Sequence, residues 1–153
     1  MLKSRIAGVL AAAVAAFGLT LVTAPSASAI EGVWKPWNNG WVTECGTTKT
    51  HRITTNASFQ ACFIIGSGSY VQPVLVVKNN TTSAIRLKGS ADSTYGTTVN
   101  CPDTFLSAGQ RTTCMGTTEG IRLGLNLGWG DLDLMSNGAW HGDRTAYVPI
   151  QGV

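Results

Sequence analysis

Apolar residues recur with a period of two along most of this 153-residue chain. That spacing argues against a helical bundle and for a sheet with one face buried. Phe59, Ala61, Phe63 and Ile65 alternate with Ser58, Gln60, Cys62 and Ile64. In the next run Val71, Pro73, Leu75 and Val77 share one side while Val74 and Val76 share the other, which predicts a strand buried on both faces. Pro73 cannot donate to a ladder and so points to a sheet edge or a bulge. After the polar turn Lys78-Asn79-Asn80-Thr81-Thr82, Ile85 and Leu87 face inward. Ile121, Leu123, Leu125 and Leu127 alternate with Arg122, Gly124, Asn126 and Gly128, giving one aliphatic face and one nearly bare. Turn residues at 66–69, 89–94, 107–109 and 136–138 separate the runs. The spacing predicts an all-β sandwich or barrel of about 7–9 strands. They are placed near 41–45, 49–55, 58–65, 70–78, 82–88, 95–106, 110–115 and 120–127, with a short strand near 145–150.

The N-terminus has a different grammar. Lys3 and Arg5 precede an uncharged run from Ile6 to Val22, followed by Pro25 and the small-residue stretch Ser26-Ala27-Ser28-Ala29. Ala27 and Ala29 fit an export-signal cleavage site. The chain therefore reads as a signal peptide (1–29), a tryptophan-rich N-terminal segment (30–41) and a β-sandwich domain (42–153), with Ile30 as the mature N-terminus. The 17-residue apolar run is at the lower limit for spanning a bilayer, so no membrane partner is expected after cleavage. Removing 29 residues from 153 leaves 124, and losing Lys3 and Arg5 leaves nine cations against eight acids, a net charge of +1. That balance gives no electrostatic claim on nucleic acid.

Export bears on the cysteines. Cys45, Cys62, Cys101 and Cys114 are separated by 17, 39 and 13 residues. An even count in an exported chain predicts two disulfides. None of the gaps has the close spacing of a zinc site. The expected pairing joins sequence neighbours, 45 with 62 and 101 with 114, which closes loops of hairpin size; crossed pairings, which staple distant strands, stay open.

Two runs, VLVVKNNTTSAIRLKG at 74–89 and TFLSAGQRTTCMG at 104–116, resemble small secreted bacterial immunoglobulin-like sandwiches. In these a valine-rich strand, an asparagine turn and a later L-x-x-G-Q turn recur. The resemblance implies an immunoglobulin-like β-sandwich and gives no function. The whole profile of leader, tryptophan-rich start and disulfide-bearing β domain is similar to the small bridging subunit of umbrella toxin particles. That resemblance implies an adaptor in an extracellular antibacterial toxin complex, with a lectin-like spoke subunit and a repeat-bearing toxin subunit as partners. It assigns no role to any residue.

Catalytic readings are thin. The chain has two histidines, His51 and His141, with Asp143 close to the second. Gly66-Ser67-Gly68-Ser69 is not a nucleophile elbow, and the histidines read as surface or hydrogen-bonded residues. Asp131 and Asp133 share a strand face, but Met135 breaks a calcium-loop pattern, so they read as a solvated face beside inward Leu132 and Leu134. No metal, no cofactor and no enzymatic activity are expected. The matches to the glycosylation pattern at Asn56, Asn79 and Asn80 read as polar turns.

The tryptophans carry more. Trp34, Trp37 and Trp41 fall within eight residues, but Pro36, Asn38, Asn39 and Gly40 oppose a helix there. An extended, loosely held segment is expected. Its apolar residues Ile30, Val33, Trp34, Trp37 and Trp41 are the candidate binding residues for another secreted protein, since tryptophan is enriched at interface hot spots. The competing reading has the indoles plugging one open end of the sandwich. Trp129 and Trp140 read as core. The chain is thus expected to be a secreted, non-enzymatic protein-binding module. The alternatives are an inhibitor of an extracellular hydrolase and a carbohydrate-binding module using exposed tryptophans.

Overall fold

The computed structural model describes residues 29–152 apart from 42, 95, 97 and 122. The signal-peptide reading falls on residues outside this span, Ala29 excepted. The described residues form strands and no helix. In chain order they are β1 (Ile30–Glu31), β2 (Trp34–Pro36), β3 (Thr43–Cys45), β4 (Lys49–Thr50), β5 (Ala57–Ile65), β6 (Tyr70–Asn79) and β7 (Ile85–Ser93). There follow β8 (Val99–Leu106), β9 (Arg111–Met115), β10 (Glu119–Gly120), β11 (Gly124–Ser136), β12 (Ala139–Arg144) and β13 (Val148–Gly152). Sheet I has the order β1-β8-β7-β11-β12, with β13 also on β11; sheet II has the order β2-β9-β6-β5-β3, with β4 on β5 and β10 on β6.

The two sheets pack face to face. Phe59, Leu75 and Val77 of sheet II meet Leu87, Ala91, Leu132 and Leu134 of sheet I in one buried cluster. Ala61, Phe63 and Val71 meet Val148 and Ile150 in a second. Each Val, Leu, Ile or Phe side chain among them is worth about 1.5–3 kcal/mol on leaving water. β6 is buried on both faces, as its pattern predicts, because Val74 and Val76 lie with Cys62 under Trp37, Ile64 and Met115 on the outer side of sheet II.

Three sequence expectations change. Pro73 sits in a central strand, not at an edge or bulge. On its open side β9 ends with Met115 opposite Val74, and β10 starts with Glu119 opposite Val71. The proline falls at this handover, where its carbonyl accepts the Gly116 amide at 2.7 Å and no donor is required. The stretch from Gly89 to Ser93 is strand, not turn. Gly89 is there for close approach, since a Cβ would lie 2.3 Å from the Asp131 carbonyl oxygen. The strand placed at 120–127 runs instead from 124 to 136, and its aliphatic side faces outward. Leu132 and Leu134 set the inward parity, which turns Gly128 and Gly130 to the core against Phe63 and Leu75.

The disulfides pair sequence neighbours, Cys45 with Cys62 and Cys101 with Cys114. Cys45 lies opposite Cys62 within sheet II. The second bridge joins β8 to β9 and so crosses from sheet I to sheet II. The crossovers are locked by Asn79. Its buried amide donates to the carbonyls of Ser83 at 2.7 Å, Leu106 at 3.0 Å and Ser107 at 3.1 Å, and its oxygen accepts the Thr81 amide at 2.9 Å. The asparagine turn and the L-x-x-G-Q turn therefore touch. Asn79 is structural and inaccessible as a glycan acceptor.

Candidate docking faces

The tryptophan-rich start is built into the sandwich. β1 pairs in parallel with β8, and β2 pairs antiparallel with β9. The segment thus crosses from the edge of sheet I to the edge of sheet II. Gly32 makes the crossing, donating to the Asn100 carbonyl at 2.6 Å, where a Cβ would lie 2.5 Å from Val99 Cγ1 and 3.2 Å from Cys114 Sγ. Glycine at 32 permits close packing, not looseness. Trp34 packs against the main core and its Nε1–H donates to the Pro102 carbonyl at 2.7 Å. This indole plugs the side of the sandwich over the inter-sheet disulfide. Trp37 roofs Cys62, Val74 and Val76 and meets Trp41 edge-on at 5.5 Å. Ile30 and Val33 are exposed.

The outer face of sheet I carries a second set of apolar residues. Leu123, just before β11, is 87% exposed and Leu125 60%. Leu127 and Trp129 continue the outward row of β11, half-buried. Exposed Tyr147 meets Trp129 edge-on at 5.5 Å. Leu123, Leu125, Leu127, Trp129 and Tyr147 thus form an apolar tract on this face. Trp129 and Trp140, expected in the core, lie on this outer face.

Below the tract the charges cancel in pairs. Register places Asp131 opposite Arg144 and Asp133 opposite Lys88. Arg144 holds Asp131 with two hydrogen bonds, at 2.7 and 2.9 Å, and its guanidinium lies 5.8 Å from the Trp129 ring. Hydrogen bonding to Asp131 raises the Arg144 pKa further. Arg86 grips Asp103, and the guanidinium holds that carboxyl below its ordinary range. Lys88 sits 4.6 Å and Arg86 5.5 Å from the Trp140 ring.

The histidine and aspartate candidates hold elements together. His51 is fully buried. The Thr54 amide donates to its Nδ1 at 3.4 Å, which leaves Nε2–H to donate to the His141 carbonyl at 2.9 Å. His51 thus ties the loop after β4 to β12 of the other sheet. Asp143 accepts Lys49 Nζ at 2.6 Å, the Arg52 amide at 3.0 Å and the Arg144 amide at 3.0 Å. Burial opposes its charge, but these hydrogen bonds outweigh burial and hold its carboxyl below the ordinary range. His51 and Asp143 each act as a clasp between the sheets. Asp131 and Asp133 lie on a solvated strand face beside inward Leu132 and Leu134, as their pattern predicts. Among the described residues no group of three or more His, Cys, Asp or Glu side chains is placed to hold a metal ion.

The outward leucines of β11 were legible as an aliphatic face, but not as an exposed one. The signal that inverts them is the glycine pair at 128 and 130, whose lack of a side chain fits the large core residues of the other sheet. No protein-family model matches the chain, and no curated protein matches it in sequence.

Proposed function

We propose that this chain is an exported protein-binding module of immunoglobulin-like form that acts without turnover, as an adaptor in an extracellular assembly. The observation that carries the reading is the tract Leu123, Leu125, Leu127, Trp129 and Tyr147, displayed on a sheet stapled to its partner sheet. Flat, rigid, aromatic-bearing apolar surface is the substance of protein interface cores. Two disulfides are compatible with an oxidising extracellular location. The locked asparagine and L-x-x-G-Q turns support the immunoglobulin-like form. The umbrella-particle resemblance suggests lectin-like and repeat-bearing subunits as partners. The carbohydrate-module reading is weaker, since Lys88 and Arg86 already crowd the Trp140 ring on which a sugar would stack.

The test uses the mature protein, immobilised and exposed to culture supernatant of the producing organism. The captured protein is identified, purified and titrated against wild type, Leu123→Asp and Leu125→Asp. Both variants should weaken binding by about tenfold or more, as for hot-spot residues. Their melting points should stay at the wild-type value because the side chains are exposed. Undiminished affinity in both variants would overturn the reading.

A further inference from the structure

The opposite face of the sandwich carries an unbalanced charge. Lys78 on β6 and Arg111 on β9 lie directly opposite each other on the outer side of sheet II. Like charges so placed repel across roughly 4.5–5.5 Å between Cβ atoms and destabilise the ladder. Nothing described relieves them. The ion pairs of the described residues draw on Asp103, Asp131, Asp133 and Asp143, all on strands of sheet I. Lys35, on the neighbouring β2, is a third cation outside those pairs.

These cations line a groove. One part is an open cleft of about 400 Å³ between the Trp37 turn and the turn at Gly109, with Lys78 and Arg111 in its wall. A second part, about 230 Å³, continues past Lys35 and Pro36 to Phe105. Pro36, Gln110 and Arg111 belong to both, so the groove is continuous. It has an aromatic ring at each end and cations between.

We propose that this groove docks an extended acidic segment of a partner protein, with carboxylates on Lys78, Arg111 and Lys35 and apolar side chains against Trp37 and Phe105. Carboxylates of a partner would relieve the Lys78–Arg111 repulsion that the chain leaves uncompensated. An extended peptide matches the groove's continuity. Nucleic acid and sulfated glycan fit less well. Three cations on a mature chain of net charge +1 are few for a polyanion, which gains affinity by releasing many counterions. The site lies across the sandwich from the leucine tract, so it stands or falls separately from the function proposed above.

The experiment titrates mature protein into a fluorescein-labelled heptapeptide alternating glutamate with leucine, followed by anisotropy at low salt. A lysine-for-glutamate peptide and a heparin oligosaccharide serve as comparison probes. Saturable binding of the acidic peptide is expected, weakening as salt screens it, with none for the lysine peptide. The double variant Lys78→Glu/Arg111→Glu should lose about tenfold or more in affinity, and Leu125→Asp should lose nothing. Melting curves confirm that the exposed substitutions leave the fold intact. Failure of the acidic peptide to bind, retained affinity in the double variant, or binding of heparin alone would each overturn the proposal.

Discussion

A methyl group at position 130 would sit 2.9 Å from Leu75 Cδ1 and 3.0 Å from the Ser90 carbonyl oxygen. The backbone cannot yield there without disturbing the ladder, so Gly130→Ala should cost about 1–3 kcal/mol, read as a lower midpoint in chemical denaturation. The same measurement on Gly138→Ala, whose Cβ would meet nothing within 4 Å but whose φ is +76°, isolates backbone strain from overpacking. Asp143 makes a pH prediction. Its carboxyl is held below its ordinary range in the folded protein, so the folded state binds its proton less readily than the unfolded state. Its contribution is therefore present above the unfolded carboxyl pKa of about 3.9 and is lost as pH falls through the lower folded value. Melting of wild type and Asp143→Asn should differ by a constant amount near neutral pH, and the gap should close in acid. A gap that widens in acid would contradict the assignment. The sequence showed Asp143 as an acid near a histidine; its partners Arg52 and Lys49 lie 91 and 94 residues away, beyond any local pattern.

Alternation identified strands well and orientation poorly. β5 was legible because its bulky residues keep one parity, and β6 because both of its sides are apolar. In β11 the bulk changes sides: leucines face out at 125 and 127 and in at 132 and 134. Only the packing of Gly128 and Gly130 against Phe63 and Leu75 decides that parity. The N-terminal segment misled in a similar way, since glycine and proline signal disorder in a sequence but close packing and an edge strand here. Deleting residues 30–36 removes β1, β2 and the Trp34 plug, so it should lower the melting midpoint, against the unchanged midpoint expected of a loose arm. Trp34→Ala alone should cost about 2–4 kcal/mol, at the lower side of buried aromatic truncations because the indole is half-buried. Lys78→Glu faces Arg111 with an opposite charge and should stabilise the free protein by up to about 1 kcal/mol. An unchanged or lower midpoint would mean that the pair is not repulsive.

The molecule is two sheets joined by one disulfide between them and one within sheet II. Sequence spacing favoured the neighbour pairing without excluding the crossed ones, and it was silent on which bridge crosses the sandwich, because that depends on where the chain changes sheets. Their surroundings differ: Cys101 and Cys114 are buried in the main core, whereas Cys45 is exposed. Limited reduction followed by alkylation should therefore label Cys45 and Cys62 first. Each bridge contributes about 2–4 kcal/mol. The two outer faces differ in chemistry: leucines, aromatics and cancelled charges on sheet I, uncompensated cations beside tryptophan on sheet II. Hydroxyl-radical footprinting of the purified protein, free and bound to the partner captured from culture supernatant, tests the sheet I face at side-chain resolution. Oxidation of Leu123, Leu125 and Tyr147 should fall sharply in the complex while that of Ile53, exposed on a different loop, stays constant. Unchanged oxidation of all three tract residues in a saturated complex would contradict the account.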